Sequence, residues 1–166
     1  MIFLLYSMIQ AVRETAFTAY VTTEDTRIDN SVASSQIRCL FKFINDMDKA
    51  VFYAYGESEV ILPRYTKVGF TWNVAPNMYL GETNLIPAGY FKYEIYEVSW
   101  RGGVSVGLGT APATEIDVLP VLPANGVVQG LVGIGKLFLS EKAGSEQVQY
   151  NQHQSPAATN YIYYGQ

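Results

Sequence analysis

Apolar and polar positions alternate with a period of two along most of this chain, the pattern of strands that bury one face. Residues 38–43 place Cys39, Phe41 and Phe43 on one face and their basic side chains on the other. The Asn and Asp side chains of residues 45–48 are typical of a turn, because they bond their own backbone. An apolar segment follows the turn, so the pattern predicts a β-hairpin.

The same alternation recurs in other segments, and no segment shows the apolar stripe or the capping box of a helix. Residues 89–98 place Phe91, Tyr93 and Ile95 opposite charged positions. Further strands are predicted at residues 1–9, 14–23 and 64–73, with a short one at 104–108. A glycine-spaced run at 126–141 ends in another strand, at 135–140. We therefore expect an all-β fold of about seven or eight strands, arranged as a sandwich or a barrel.

The β domain is predicted at residues 1–140. Clusters of proline and glycine at residues 101–129 predict a long irregular connection within it. Residues 141–166 turn polar, which leaves too little apolar area for this segment to fold alone. We interpret it as an arm that docks on a partner. The alternative is a closing strand of the same domain. The residues expected to anchor the arm are Tyr150, Tyr161, Ile162, Tyr163 and Tyr164.

The composition favours contacts with other proteins. Charged residues make up only 16% of the chain, and the 13 tyrosines offer contact area with a hydroxyl that tolerates water. The net charge is −4 and the 11 basic residues are scattered along the chain. No basic surface for the phosphate backbone of a nucleic acid is therefore expected, and direct nucleic-acid binding is not predicted. No uninterrupted run of 18 apolar residues occurs, and the apolar start lacks the basic segment of a signal peptide, so neither a membrane span nor secretion is expected.

One segment matches the spacing of a phosphate-binding loop, from Gly130 through Gly135 to Lys136. The next residue is Leu137, where that loop needs a hydroxyl for magnesium, and Phe138 continues a strand instead of starting a helix. The pattern therefore predicts a glycine-rich, bent strand with no nucleotide site.

The other candidate residues do not form a pattern typical of a catalytic site. The single histidine, His153, lies in the polar arm and lacks the partners of a relay or a zinc site. Cys39 lies in an apolar row and is predicted to be a buried, inert thiol. Glu94 and Glu97 point to opposite faces of one strand, so they cannot flank a glycosidic bond. We expect no enzyme activity, no cofactor, no metal and no small-molecule substrate.

The tryptophans leave a second class of function open, a carbohydrate-binding or adhesion module. Trp100 begins a glycine-rich turn in which an indole can be exposed, and Trp72 is a further candidate for stacking on a sugar ring. The alternative for Trp100 is a side chain packed under the loop that follows.

Residues 85–96, Leu-Ile-Pro-Ala-Gly-Tyr-Phe-Lys-Tyr-Glu-Ile-Tyr, resemble the corner before the sixth strand of immunoglobulin-like sandwiches. Phe91 stands where that family has a corner tyrosine, and the chain has no cysteine pair. The resemblance implies an immunoglobulin-like β-sandwich whose corner lacks its hydroxyl hydrogen bond.

More broadly, the order of short motifs resembles small virion structural proteins of tailed bacteriophages. The motifs are Phe-Lys-Phe-Ile-Asn-Asp at 41–46, Arg-Tyr-Thr-Lys at 64–67 and Gly-Tyr-Phe-Lys-Tyr-Glu-Ile-Tyr-Glu at 89–97. The resemblance implies a non-enzymatic auxiliary (decoration) capsid protein that is located in the virion. Its implied partners are the major capsid protein, other virion proteins or further copies of itself. A neck or tail component is the alternative.

If residues 146–166 form an intersubunit arm, deleting them should leave a folded core that no longer binds the particle, because the core retains every predicted strand. Circular dichroism checks the fold and co-sedimentation with particles checks binding. Unimpaired binding by the truncated chain would refute the arm.

Overall fold

The computed structural model describes residues 8–144 and contains two β-sheets. Among these residues no α-helix occurs, and the helical elements are three single turns of 3-10 helix at Glu24–Thr26, Ser34–Gln36 and Met78–Leu80. The predicted all-β class is therefore confirmed for the part of the chain that the structure describes.

Nine strands form the two sheets. In chain order they are β1 (Ile9–Val12), β2 (Phe17–Val21), β3 (Ile37–Asn45), β4 (Val51–Tyr55), β5 (Ser58–Ile61), β6 (Thr66–Trp72), β7 (Glu82–Thr83), β8 (Gly89–Ser99) and β9 (Val127–Ser140).

The first sheet has five strands in the order β1-β9-β8-β3-β4, and the second has the order β2-β6-β5 with β7 added to β6. Most neighbours are antiparallel. The two exceptions are β1 beside β9, where Ile9 is opposite Leu137, and β6 beside β7. The five-stranded sheet is therefore mixed, with the first and last described strands side by side.

The predicted hairpin is confirmed as β3 and β4, which pair from Leu40 opposite Tyr55 to Ile44 opposite Val51. The Asn45 side chain accepts hydrogen bonds from the backbone of the two residues that end the turn, at 2.8 and 3.3 Å. The Asp48 carboxylate accepts one from the Ala50 N–H at 2.9 Å. The turn chemistry is that predicted from the short polar side chains.

An aromatic cluster joins the two sheets. Phe70 of β6 is stacked on Phe17 at 5.0 Å between ring centroids, and it meets Phe41 and Phe43 of β3 edge-on at 5.0 and 5.7 Å. These offset and edge-to-face geometries are the favoured ones for aromatic pairs. Both sheets therefore bury their inner faces in one core.

The strand faces predicted for β8 are correct, because Phe91, Tyr93 and Ile95 are all buried in this core. The glycine-rich segment lies within β9, as predicted, and not in a phosphate-binding loop. Gly135 lies under the Tyr93 ring, where an added Cβ would overlap the ring. The glycines of β9 therefore let the neighbouring strand's large side chains pack against its backbone.

Some elements differ from the expectations. Strands β5 and β7 were not predicted, because they are short and their charged or polar residues do not alternate clearly. The strand expected at 104–108 is irregular, since its apolar side chains pack on the five-stranded sheet without a ladder partner. Of the strand expected at 1–9, only its last residue is observed in β1. Residues 1–7 and 145–166, with most of the predicted arm, lie outside the described residues.

Replacing Phe91 with alanine should lower the free energy of unfolding by about 3–5 kcal/mol, because it leaves a cavity in a close-packed core. The matched control is Tyr90→Ala, one position along on the outward face, where the half-exposed ring packs on Phe138 at 4.9 Å between centroids, with a smaller expected loss of about 1 kcal/mol. Chemical denaturation measures both. Equal losses for the two variants would contradict the assignment of faces.

Candidate interaction surface

The long connection after β8 begins with a buried tryptophan. Trp100 is 0% exposed, its indole Nε1 donates to the Thr110 carbonyl at 3.3 Å, and its backbone N–H donates to the Gln36 carbonyl at 3.0 Å. Of the two positions considered for Trp100, the exposed one is therefore wrong and the one packed under the following loop is observed. The side chain packs under the loop because the outer face of the five-stranded sheet offers an apolar site there.

That outer face carries a second hydrophobic cluster, separate from the core between the sheets. Its buried members are Leu40, Tyr55, Val98, Trp100 and Ala111. Val104 and Val106 of the connection pack against the cluster and are partly buried. The connection therefore covers this part of the outer face with irregular chain, and the middle of β3 and the end of β8 are buried on both sides.

A charged cluster ties the connection to the same face. The Lys42 ammonium lies 2.5 Å from one carboxylate oxygen of Glu115, and the Tyr53 hydroxyl donates to the other at 2.6 Å. Beside them the Tyr96 hydroxyl donates to Glu94 at 2.7 Å, and Lys42 lies 3.8 Å from Glu94. Hydrogen bonds to ionised groups are stronger than neutral ones, so Glu115 fixes the middle of the connection.

The ionisation of this cluster follows from its geometry. Partial burial acts to raise the pKa of Glu115, but the hydrogen bonds from Lys42 and Tyr53 outweigh it and lower the pKa below its ordinary value of 4.5. The hydrogen bond to Glu115 raises the pKa of Lys42. Desolvation, followed by the bond to Glu115, raises the pKa of Tyr53 to about 12. At neutral pH the carboxylate and the ammonium are both charged and the phenol is neutral.

Further hydrogen bonds hold the loop to itself and to the sheet. The Gly102 N–H donates to Pro123 at 2.9 Å, and the Asn125 side chain donates to Pro120 at 2.9 Å. The Tyr55 hydroxyl, buried beneath, donates to the Pro112 carbonyl at 2.6 Å. Gly126 closes the loop so near the Trp100 ring that an added Cβ would lie 2.7 Å from it. These contacts fix the loop conformation without regular secondary structure.

The braced loop presents aliphatic side chains to solvent. Ile116 is 82% exposed, Val118 91%, Val121 84% and Leu122 58%, all within seven positions of the chain. We call these four residues the apolar loop surface. Such a group is unusual on a monomer, where exposed apolar residues are mostly scattered, and grouped ones mark interaction sites.

Sequence reasoning missed this surface, although a signal is present. The segment Val-Leu-Pro-Val-Leu-Pro at 118–123 combines apolar residues with prolines that cannot join a central strand. Apolar residues that cannot enter a sheet are more readily left at the surface.

A small buried polar group lies at the other side of the five-stranded sheet. The Glu59 carboxylate accepts the Cys39 N–H at 3.1 Å, and burial raises its pKa despite that bond. Burial, with the adjacent carboxylate, raises the pKa of the Cys39 thiol well above its usual range. A thiol that resists ionisation is a poor nucleophile, which supports the predicted inert cysteine.

The two glutamates of β8 have different surroundings, as predicted. Glu94 belongs to the charged cluster on the outer face, and Glu97 accepts backbone hydrogen bonds from Ile28 and Asp29 at 2.8–3.2 Å. Trp72 is 38% exposed and donates to Asn84 at 3.3 Å. The predicted anchors of the arm, Tyr150, Tyr161, Ile162, Tyr163 and Tyr164, and also His153, lie outside the described residues.

Between residues 8 and 144, no group of three or more His, Cys, Asp or Glu side chains is arranged to hold a metal ion. Within the same range no helix is long and apolar enough to span a membrane. Comparison of the chain with protein-family models, curated proteins and solved structures finds no match.

Replacing Glu115 with glutamine should lower the free energy of unfolding at pH 7 by about 1–3 kcal/mol, because it removes a charge-assisted pair. A carboxylate with a lowered pKa contributes stability above 4.5 that is lost as the pH falls through its folded value. The difference between wild type and variant should therefore shrink on acidification.

Urea denaturation from pH 7 to pH 3 measures this difference. The control is Glu57→Gln, an exposed carboxylate outside the cluster, for which little change in the free energy of unfolding is expected at pH 7. A Glu115→Gln difference that stays constant with pH would contradict the ionised pair.

Proposed function

We propose that this chain is a non-enzymatic structural protein of a tailed-phage virion, of the auxiliary capsid type. One observation carries the proposal: a loop fixed by hydrogen bonds and an ion pair holds four aliphatic side chains in solvent. Such a loop pays little ordering entropy when a protein surface covers it. A component that is repeated many times in a particle has protein neighbours on several sides.

The motif order that resembles virion proteins adds support. Residues 41–46 fall on the end of β3 and its turn, 64–67 on the start of β6, and 89–97 on β8. All three lie in or beside strands of the common core and the hairpin. The motifs therefore carry fold information, and the assignment to a virion rests on their order together with the apolar loop surface.

The fold that we propose is an immunoglobulin-like sandwich. The order β9-β8-β3-β4 corresponds to strands G-F-C-C′ of that family, and β2-β6-β5 corresponds to B-E-D. Phe91 is buried near the start of β8, where the family has its corner tyrosine. A rigid sandwich with exposed loops suits a protein whose role is to hold contacts in place.

The major shell protein is the proposed partner in the particle, and repetition makes weak individual contacts sufficient. The competing carbohydrate-binding function loses its best candidate, because Trp100 is buried. A neck or tail position differs from a capsid position in copy number, since capsid lattices repeat their components far more often than the portal axis does.

The copy number of this chain per purified particle, measured by quantitative mass spectrometry against the major shell protein, tests the proposal. We expect hundreds of copies for a component of the capsid lattice. A dozen or fewer would assign the chain to the neck or tail. Its absence from purified particles would overturn the virion function.

A further inference from the structure

We propose that the apolar loop surface of one copy docks on the outer face of the four-stranded sheet of a second copy, giving a head-to-tail contact. The inference deepens the proposed function and rests on it for its role in a particle. It states which protein binds the loop surface. The virion assignment alone allows either the shell protein or another copy of this chain.

The receiving surface is a cross-strand row on the side of the domain opposite the loop. Tyr20 of β2, Lys67 of β6 and Val60 of β5 are aligned by strand register, and Tyr65 meets the Tyr20 ring edge-on at 5.6 Å. Tyr20 and Val60 are each 50% exposed. We call these four residues the tyrosine row.

The two surfaces face away from each other. Neighbours of the tyrosine row on the same strands, such as Val68 and Phe70, point inward to the core between the sheets. The connection packs on the outer face of the other sheet, over Leu40 and Val98. A copy therefore cannot satisfy its own loop surface with its own tyrosine row, and the contact has to be made between copies.

The chemistry of the two surfaces is complementary. The loop projects aliphatic side chains, and the row offers two aromatic rings and a valine on one sheet face, and aromatic residues are enriched in interfaces. Beyond the row lies an open groove of about 210 Å³ whose far wall, residues 22–25, is polar. This polar wall makes the groove a poorer site for aliphatic side chains than the row.

Charge favours this pairing over symmetric alternatives. The exposed Asp117 lies between two residues of the loop surface, and the row contains the exposed Lys67. A loop-to-loop contact brings two copies of Asp117 together, and a row-to-row contact brings two copies of Lys67 together, which costs energy in both cases. The loop-to-row contact brings the opposite charges together.

A contact of this kind uses two different patches, so each copy keeps one patch open for the next. Such heterologous contacts produce rings when the rotation closes and open arrays when it does not. Either outcome fits a protein that is repeated in a symmetric particle.

Sedimentation of the purified full chain over a range of concentrations tests the inference, with Val118→Asp for the loop and Val60→Asp for the row. We expect wild type to associate, and each variant to associate at least about 100-fold more weakly, because a charge is then buried at the contact. Tyr65→Ser is a second row variant that leaves the edge strand β5 unchanged. Met47→Asp, at the exposed hairpin tip, is the control and should associate as wild type does.

Mixing the two variants decides the geometry. The Val118→Asp chain keeps an intact row and the Val60→Asp chain an intact loop, so an equimolar mixture should form a 1:1 dimer that does not grow further. An isologous contact gives no such rescue, so a mixture that remains monomeric while wild type associates would overturn the head-to-tail arrangement.

Wild type that remains monomeric at about 1 mM, where even a contact worth about 4 kcal/mol is half-occupied, would overturn the inference altogether. Failure of the inference and failure of the proposed function are distinguishable. A monomeric chain present at hundreds of copies per particle retains the virion function and assigns the loop to the shell protein. A chain that self-associates but is absent from particles would support the head-to-tail contact and overturn the virion function.

Discussion

Around Leu40 and Val98 the five-stranded sheet is buried on both faces, and most other features of the molecule depend on that constraint. On the inner side Phe41, Phe43 and Phe91 pack against the second sheet. On the outer side Leu40 and Trp100 need cover as well. In a two-layer arrangement the second sheet covers only the inner face. The apolar side chains on the outer face are therefore covered by the connection between β8 and β9.

The need for cover explains why an irregular segment is so well fixed. In a loop without regular structure each buried backbone N–H and C=O needs its own hydrogen-bond partner. Here the side chains of Tyr55 and Asn125 donate hydrogen bonds to two of the loop carbonyls. The ion pair between Lys42 and Glu115 adds a fixed point on the sheet. Because the inner side of the loop is specified in this way, its outer side is specified too, and the aliphatic side chains there have a defined arrangement.

The strands and their faces were largely predictable because period-two alternation is a local property, as Phe91, Tyr93 and Ile95 illustrate. The position of Trp100 was left open between an exposed indole and one packed under the loop, since its burial depends on Thr110 and Gly126, residues that approach it only in the folded chain. The same holds for Glu115, whose partners Lys42 and Tyr53 are 62 or more positions away in sequence. The apolar loop surface had a local signal in its proline spacing. That signal predicts that these residues lie outside strands, but it does not predict that their side chains face solvent.

The parallel pairing of β1 with β9 has a mechanical consequence. Tension applied through the two ends of the described domain would draw Ile9 and Ser140 in opposite directions along neighbouring strands. The ladder hydrogen bonds run across that direction, so the load falls on all of them at once instead of opening them one by one. The domain therefore has the geometry of a shear clamp, which resists stretching along its own chain even though only four residue pairs form it.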